Sequence, residues 1–376
     1  MGLLISALLF QPPENPKQIL HGKQIWLTTS IGNKIPACYI TQPQARFTIL
    51  YSHGNAEDLG MVNKFLTELS KVLYVNVLAY DYCGYGVGAL NKHNIERNVE
   101  PSEENCYADI EAAFDYLTRK KKVDPKSIIL YGRSVGSGPS CYLAQKLSKE
   151  YGADGIGGLV LHSPFLSVCR VVIDCGVENP YDIFPNVTRI KDVCCPVFIL
   201  HGTRDSVVPF KHGVQLFENV PKNVRIAPFW APNMGHNNIE SEMTSLYIKK
   251  LQKFLLHLLQ IQNPDVIEKA LKLKKKTKVS ILPVSFSNGG SSFETTNTDI
   301  STEDSEPLIN SSAGSPKIPV EKSKLARTTS PKSILNFESR EDEDESLSQS
   351  YEFGARVESR ICTLEHEEIE CIVNNE

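Results

Sequence analysis

The sequence predicts an α/β domain: a mostly parallel central sheet flanked by helices, with a small cap or none, followed by a disordered C-terminal tail. Three observations carry this. Strand-length apolar runs alternate with segments of helical period between residues 47 and 259. A Gly-x-Ser-x-Gly stretch joins one of these runs directly to the helical segment that follows. After Gln262 the composition turns to Ser, Thr, Lys, Glu and Asp with scattered Pro, which cannot bury enough apolar surface to offset the entropy of ordering.

Residues 48–52 (TILYS), 75–80 (VNVLAY), 127–131 (SIILY), 158–162 (GLVLH), 196–201 (PVFILH) and 224–228 (VRIAP) are continuous apolar stretches, as strands buried on both faces should be. Ser102 followed by Glu103 and Glu104 supplies a capping oxygen and then the negative charge that a helix N-terminus favours. Tyr107, Ile110, Ala113, Phe114 and Leu117 continue that helix as a crossover. A second helix is expected over residues 140–149. A third, over 239–259, carries Leu246, Leu251, Phe254, Leu255 and Leu258 on or near one face and closes the domain. The expected organisation is an N-terminal packing or membrane-contact segment over 1–20, the α/β domain over 21–260 and the charged, Ser-rich tail over 261–376.

The net charge of -4 is unevenly spread: residues 261–376 carry 14 Lys+Arg against 21 Asp+Glu, and residues 1–260 carry 26 against 23. Neither part is basic enough to neutralise a run of phosphates, so nucleic acid is excluded as an expected partner. No apolar run reaches the roughly 18 to 20 residues that cross a bilayer. The 10 cysteines are irregularly spaced, and Cys83, Cys141, Cys169 and Cys195 lie within apolar segments. They read as buried thiols of a cytoplasmic protein, with no disulfide framework and no zinc spacing. No metal or other cofactor is expected.

The chemistry centres on Gly132-Arg133-Ser134-Val135-Gly136, which follows the run SIILY. A turn this tight leaves no room for side chains at the two glycines, and it lifts the serine out where a substrate can reach it. A serine hydroxyl needs a base to take its proton, and that base needs an orienting carboxylate. Asp205 lies just beyond the run PVFILH and His236 in a later loop, which gives the chain order Ser, Asp, His. Asp182 and Asp192 are the alternative acids, and neither follows a strand so closely. After the run TILYS, Asn55 or Ala56 should supply a backbone N–H that joins that of Val135 in stabilising an oxyanion. His53, His162 and His201 close strands and read as supporting hydrogen-bonding groups. Asp81-Tyr82-Cys83-Gly84-Tyr85-Gly86 reads as a structural turn lining the cleft.

Met1-Gly2-Leu3-Leu4-Ile5-Ser6 matches the M-G-x-x-x-S/T pattern for myristoylation at Gly2. The alternative is that Leu3, Leu8 and Phe10 pack on the domain. One myristoyl chain binds membranes only marginally, and Lys272, Lys274, Lys275, Lys276 and Lys278 offer a second, electrostatic contact with an anionic leaflet. The expected location is cytoplasmic, peripheral at a membrane's cytoplasmic face.

The stretches YSHGNAEDLG (51–60), YDYCGYG (80–86), YADIEAA (107–113), SIILYGRSVG (127–136), LHSP (161–164) and GHN (235–237) resemble the alpha/beta hydrolase domain-containing protein 17 family of membrane-associated serine hydrolases. More widely, they resemble the serine aminopeptidase S33-like group. The resemblance implies an alpha/beta-hydrolase fold and a depalmitoylase, which hydrolyses the thioester between a fatty acyl chain and a cysteine of a membrane-bound protein. That family reaches the membrane through an acylated N-terminal cysteine cluster. The first cysteine here is Cys38, so an anchor in this chain must be chemically different. Independently, only about 34 residues, 163–196, separate two successive strands where lipases insert lids, so the cleft should be open to a bulky acylated protein. The rival expectations are a carboxylesterase or lipid hydrolase, an aminopeptidase-like peptidase, and a non-catalytic scaffold on the same fold.

Overall fold

The computed structural model describes residues 9–19, 21–172 and 182–263. Gly2, the lysines from 272 to 278 and all but the first three residues of the expected tail lie outside them. Eight strands form one sheet: β1 (Lys23–Thr28), β2 (Lys34–Ile40), β3 (Thr48–Ser52), β4 (Asn76–Tyr80), β5 (Ile128–Arg133), β6 (Gly158–His162), β7 (Val197–Gly202) and β8 (Phe229–Ala231). Their order is β1-β2-β4-β3-β5-β6-β7-β8. The β1–β2 and β2–β4 pairs are antiparallel, and every pair from β4 through β8 is parallel. This is an alpha/beta-hydrolase fold.

The longer helices are α1 (Leu59–Leu73), α2 (Glu103–Asp115), α3 (Ser137–Tyr151), α4 (Lys211–Asn219) and α5 (Thr244–Gln262). Local chemistry sets their starts. Asp58 caps α1 by accepting from the Met61 N–H at 2.9 Å. Ser102 caps α2 by accepting from the Asn105 N–H at 3.1 Å, with Glu103 and Glu104 in the first turn. Alternation along the parallel strands then builds two cores. Leu50, Leu78, Leu130, Leu159 and Ile199 face one layer with Ile110 of α2 and Leu147 of α3. Ile49, Val77, Ile129, Val160 and Phe198 face the other, with Leu66 of α1 and Phe254 of α5. At about 25 cal/mol per Å² of apolar surface, these two layers supply most of the stability of the body.

The structure departs from the sequence reading in three places. The hairpin β1–β2 is not among the strands expected above: β1 is mostly exposed and lacks a continuous apolar run, and Pro36 lies within the otherwise mostly buried β2. The strand expected over 224–228 makes only one bridge, Val197 with Arg225, and the ladder resumes at Phe229. Pro228 has no N–H to donate, so pairing restarts immediately after it. The closing helix is broken at Met243 into a single turn, Ile239–Glu242, and α5. There the Thr244 hydroxyl donates to the carbonyls of Glu240 (2.7 Å) and Ser241 (3.0 Å), while Glu240 is turned inward.

Candidate active site

The carboxyl ends of β3, β5 and β7 and the loop after β8 meet at one edge of the sheet. At the end of β5 the chain turns through Ser134, whose φ of 49° is the left-handed conformation that side chains rarely adopt. Both flanking glycines are obligatory. A Cβ on Gly132 would lie 2.4 Å from the Gly136 carbonyl oxygen, and one on Gly136 would lie 2.1 Å from that of Ser52. The second contact presses the elbow against the end of β3, beside the loop of residues 53–57. Directly after the turn, α3 begins at Ser137 with Gly136 as its N-cap.

Gly202 performs the matching service at the end of β7. Its Cα lies so close to the loop after β8 that a Cβ would meet the Met234 and Gly235 carbonyl oxygens at 2.3 and 2.4 Å. The Arg204 N–H donates to the Met234 carbonyl at 2.9 Å. Asp205 and His236 are thereby brought together: His236 Nδ1 lies 2.7 Å from Asp205 Oδ2, and His236 Nε2 lies 2.9 Å from Ser134 Oγ. Asp205 is buried, and its other oxygen accepts from the N–H groups of Val207 (3.0 Å) and Val208 (2.8 Å). Burial alone would push its carboxyl up. Hydrogen bonds from His201 and His236 outweigh burial and hold it well below the usual carboxylate range. An ionised Asp205 accepts the Nδ1–H of His236, which leaves Nε2 free to accept the Ser134 hydroxyl proton. Of the alternative acids, Asp182 accepts from the Cys169 N–H at 3.0 Å and Asp192 from the Gln145 amide at 2.7 Å, and neither reaches His236.

Val135 is buried in the turn, and Asn55 and Ala56 sit in the loop beside it. Ala56 has a φ of 55°. Among the described residues, no backbone acceptor takes the N–H of Asn55 or Ala56. The loop is held from several sides. Gly54 N–H donates to Glu57 at 2.6 Å, Tyr82 OH donates to the His53 carbonyl at 2.7 Å, and His53 lies 3.5 Å from Asp81.

Two supporting groups extend the site. His201 Nε2 lies within reach of two acceptors, the Val208 carbonyl (2.9 Å) and Asp205 Oδ2 (3.2 Å), and so braces the same carboxylate oxygen that His236 engages. Arg133 ties two segments to the elbow: it donates to Glu57 of the 53–57 loop, and in the segment after β8 it reaches Asn237 beside His236 at 3.0 Å and lies 3.3 Å from Glu240. His201 is legible in the sequence as a supporting group, whereas Arg133 and Glu240 carry no such signal, because their meeting depends on three segments far apart in the chain. Beneath them His162 is fully buried, with Nδ1 3.0 Å from Tyr131 OH and 3.6 Å from Glu240, and burial pushes it down to about 4. Between β6 and β7, where a lid would be inserted, the described chain forms only single turns, Val168–Val172, Asn186–Arg189 and Ile190–Asp192. No helix among the described residues is long and apolar enough to cross a membrane.

Comparison with known proteins agrees with this architecture. Residues 43–178 match the family described as Hydrolase_4, serine aminopeptidase, S33. The fold is similar to that of the Pyrococcus furiosus esterase Pf2001, with a TM-score of 0.52 over 66% of this chain and 98% of that one, at 15% identity. In sequence the chain is 37% identical to human alpha/beta hydrolase domain-containing protein 17B over 229 residues, 60% of this chain and 73% of that one. It is 36% identical to the mouse protein 17C over 231 residues, 61% of this chain and 66% of that one. It is 35% identical over 278 residues to alpha/beta hydrolase domain-containing protein aho-3 of Caenorhabditis elegans, 67% of this chain and 77% of that one. With human protein 17B 37% identical and matched over 73% of its length, the chain belongs to the alpha/beta hydrolase domain-containing protein 17 family.

Proposed function

We propose that this hydrolase is a serine hydrolase cleaving acyl thioesters, with S-palmitoyl groups on membrane-bound proteins as its substrates. The observation that carries the reading is the unbroken chain Ser134–His236–Asp205 at 2.9 and 2.7 Å. Ser134 Oγ attacks the thioester carbonyl carbon while its proton passes to His236 Nε2. The resulting imidazolium is oriented and stabilised by Asp205, and the oxyanion is held by the N–H groups of Val135 and of Asn55 or Ala56. The C–S bond then breaks, and the cysteine sulfur leaves with the proton from His236. Water, deprotonated by the same imidazole, attacks the acyl-Ser134 carbonyl; the C–O bond to Ser134 breaks, His236 returns the proton to Ser134 Oγ, and the fatty acid is released.

The acylated-protein substrate is supported by the short connection between β6 and β7, which leaves little chain to build a lid over a protein-borne acyl group. A palmitoyl-cysteine peptide, a matched oxyester and an aminoacyl amide, compared on one preparation, separate the substrate classes. The thioester is expected to give the highest kcat/KM, and preference for the amide would make the chain a peptidase. Contact with a membrane's cytoplasmic face, through Gly2 acylation and the lysines from Lys272 to Lys278, belongs to the same proposal. Gly2→Ala is expected to shift the protein from the membrane to the soluble fraction, and unchanged partitioning would remove the lipid anchor from the account.

A further inference from the structure

The first described residues do not trail away from the domain; they lock onto the loop that holds a candidate oxyanion amide. Phe10 is 6% exposed, with its ring 6.5 Å from Tyr85 and 6.2 Å from Phe184, both edge-on. On either side of it the backbone is bonded to the side chain of Asn55. Asn55 Nδ2 donates to the Leu9 carbonyl at 2.6 Å, and Asn55 Oδ1 accepts from the Gln11 N–H at 3.0 Å. Oδ1 also accepts from Tyr85 OH at 2.7 Å, while that same hydroxyl lies 3.0 Å from the Gln11 N–H. One amide side chain therefore clips a distant segment at two consecutive peptide groups, in the manner of a β-bridge. A second tether lies further on: Lys17 N–H donates to Asp58 at 2.8 Å, and the Lys17 carbonyl packs where Gly60 leaves room for it.

We infer that residues 9–11 form a positioning strap for the oxyanion loop, with the Asn55 side chain as its latch and Phe10 as its seat; this rests on the Ser134 hydrolase reading above. The loop needs such a device. Ala56 is held at a φ of 55°, a conformation that persists in a non-glycine residue only where its surroundings over-determine it. A hydrogen-bond donor contributes to oxyanion stabilisation only when it is aimed before the charge appears, and a displacement of about 1 Å removes much of its effect. By fixing Asn55 from outside the loop, the strap keeps the Asn55 and Ala56 amides aimed without occupying them.

The test uses full-length protein and three changes. Gln11→Pro deletes one backbone N–H at an exposed position, Asn55→Ala deletes the latch, and Phe10→Ala empties the seat. For each, kcat and KM on a p-nitrophenyl acyl ester are measured beside the affinity for a trifluoromethyl ketone, whose adduct with a serine mimics the tetrahedral oxyanion. The expected result is a fall of about 10-fold in kcat matched by an equal loss of ketone affinity, with KM within about 2-fold of wild type. Gln11→Pro, which removes no buried side chain, is expected to show this with an unchanged melting temperature. Phe10→Ala is also expected to melt lower. Wild-type kcat and ketone affinity in both Gln11→Pro and Asn55→Ala, alongside an inactive Ser134→Ala, would overturn the strap and leave the hydrolase reading standing. Full turnover by Ser134→Ala would overturn both.

Discussion

At the residue scale, the site depends on a proton's position and on the burial that fixes it. Asp205 stays ionised because two imidazoles and two backbone N–H groups surround it, so its contribution is to hold His236 with Nδ1 protonated and Nε2 facing Ser134. Asp205→Asn keeps the shape and reverses the proton pattern, and is expected to lower kcat by about 10³ to 10⁴-fold with little change in KM. His162 behaves differently. Its pKa falls from the ordinary 6.5 to about 4 in the folded state, so between those values the unfolded chain binds the extra proton and the folded one does not. Stability is therefore present above pH 6.5 and is lost as pH falls toward 4, by about 2 kcal/mol at pH 5 from this residue. Urea titrations of wild type and His162→Gln at pH 7 and pH 5 check this: the loss on acidification should be smaller in the variant by about that amount. The meeting of Ser134, His236 and Asp205 was legible in the sequence because motif, strand context and chain order constrain them together. His162 was legible only as a strand-ending histidine, since its environment comes from Tyr131 and Glu240.

At the scale of elements, turns and close approaches do what single residues cannot. The parallel strands β3 to β7 were readable to within two residues because burial on both faces makes them continuously apolar. The hairpin β1–β2 and the short β8 were not, since a half-exposed edge and a proline at position 228 interrupt the pattern. The loops around the elbow are tied by Arg133, whose side chain is 11% exposed between Glu57 and Glu240 at 20% and 12%. Arg133→Ala leaves two partly buried carboxylates without their cation. It is expected to destabilise the fold by about 3 kcal/mol and to lower kcat, because the Glu57 and Asn237 loops lose their common anchor. Chemical denaturation beside kinetics would show the two effects together. Gly138 on α3 faces Phe184, where a Cβ would lie 2.4 Å from the ring. Gly138→Ala should lower stability by about 1 to 3 kcal/mol, measured by thermal melting, as the ring and helix are forced apart.

At the scale of the whole molecule, one sheet edge gathers the candidate chemistry from segments more than two hundred residues apart: Leu9 to Gln11, the 53–57 loop, the elbow and the loops of Asp205 and His236. The fold brings these together because every parallel strand ends at that edge, which is where open α/β sheets place their sites. Membership of the alpha/beta hydrolase domain-containing protein 17 family and a body of two apolar layers fit a hydrolase. The central claim is that Ser134, activated by His236, is the nucleophile for acyl thioesters. The most direct measurement labels purified wild type, Ser134→Ala and His236→Ala with a fluorophosphonate probe and follows turnover of a palmitoyl-cysteine peptide on the same samples. The account predicts strong labelling and turnover in wild type, neither in Ser134→Ala, and a fall of at least about 10³-fold in His236→Ala. Labelling or thioester turnover that survives in Ser134→Ala, or a folded wild type that shows neither, would contradict it.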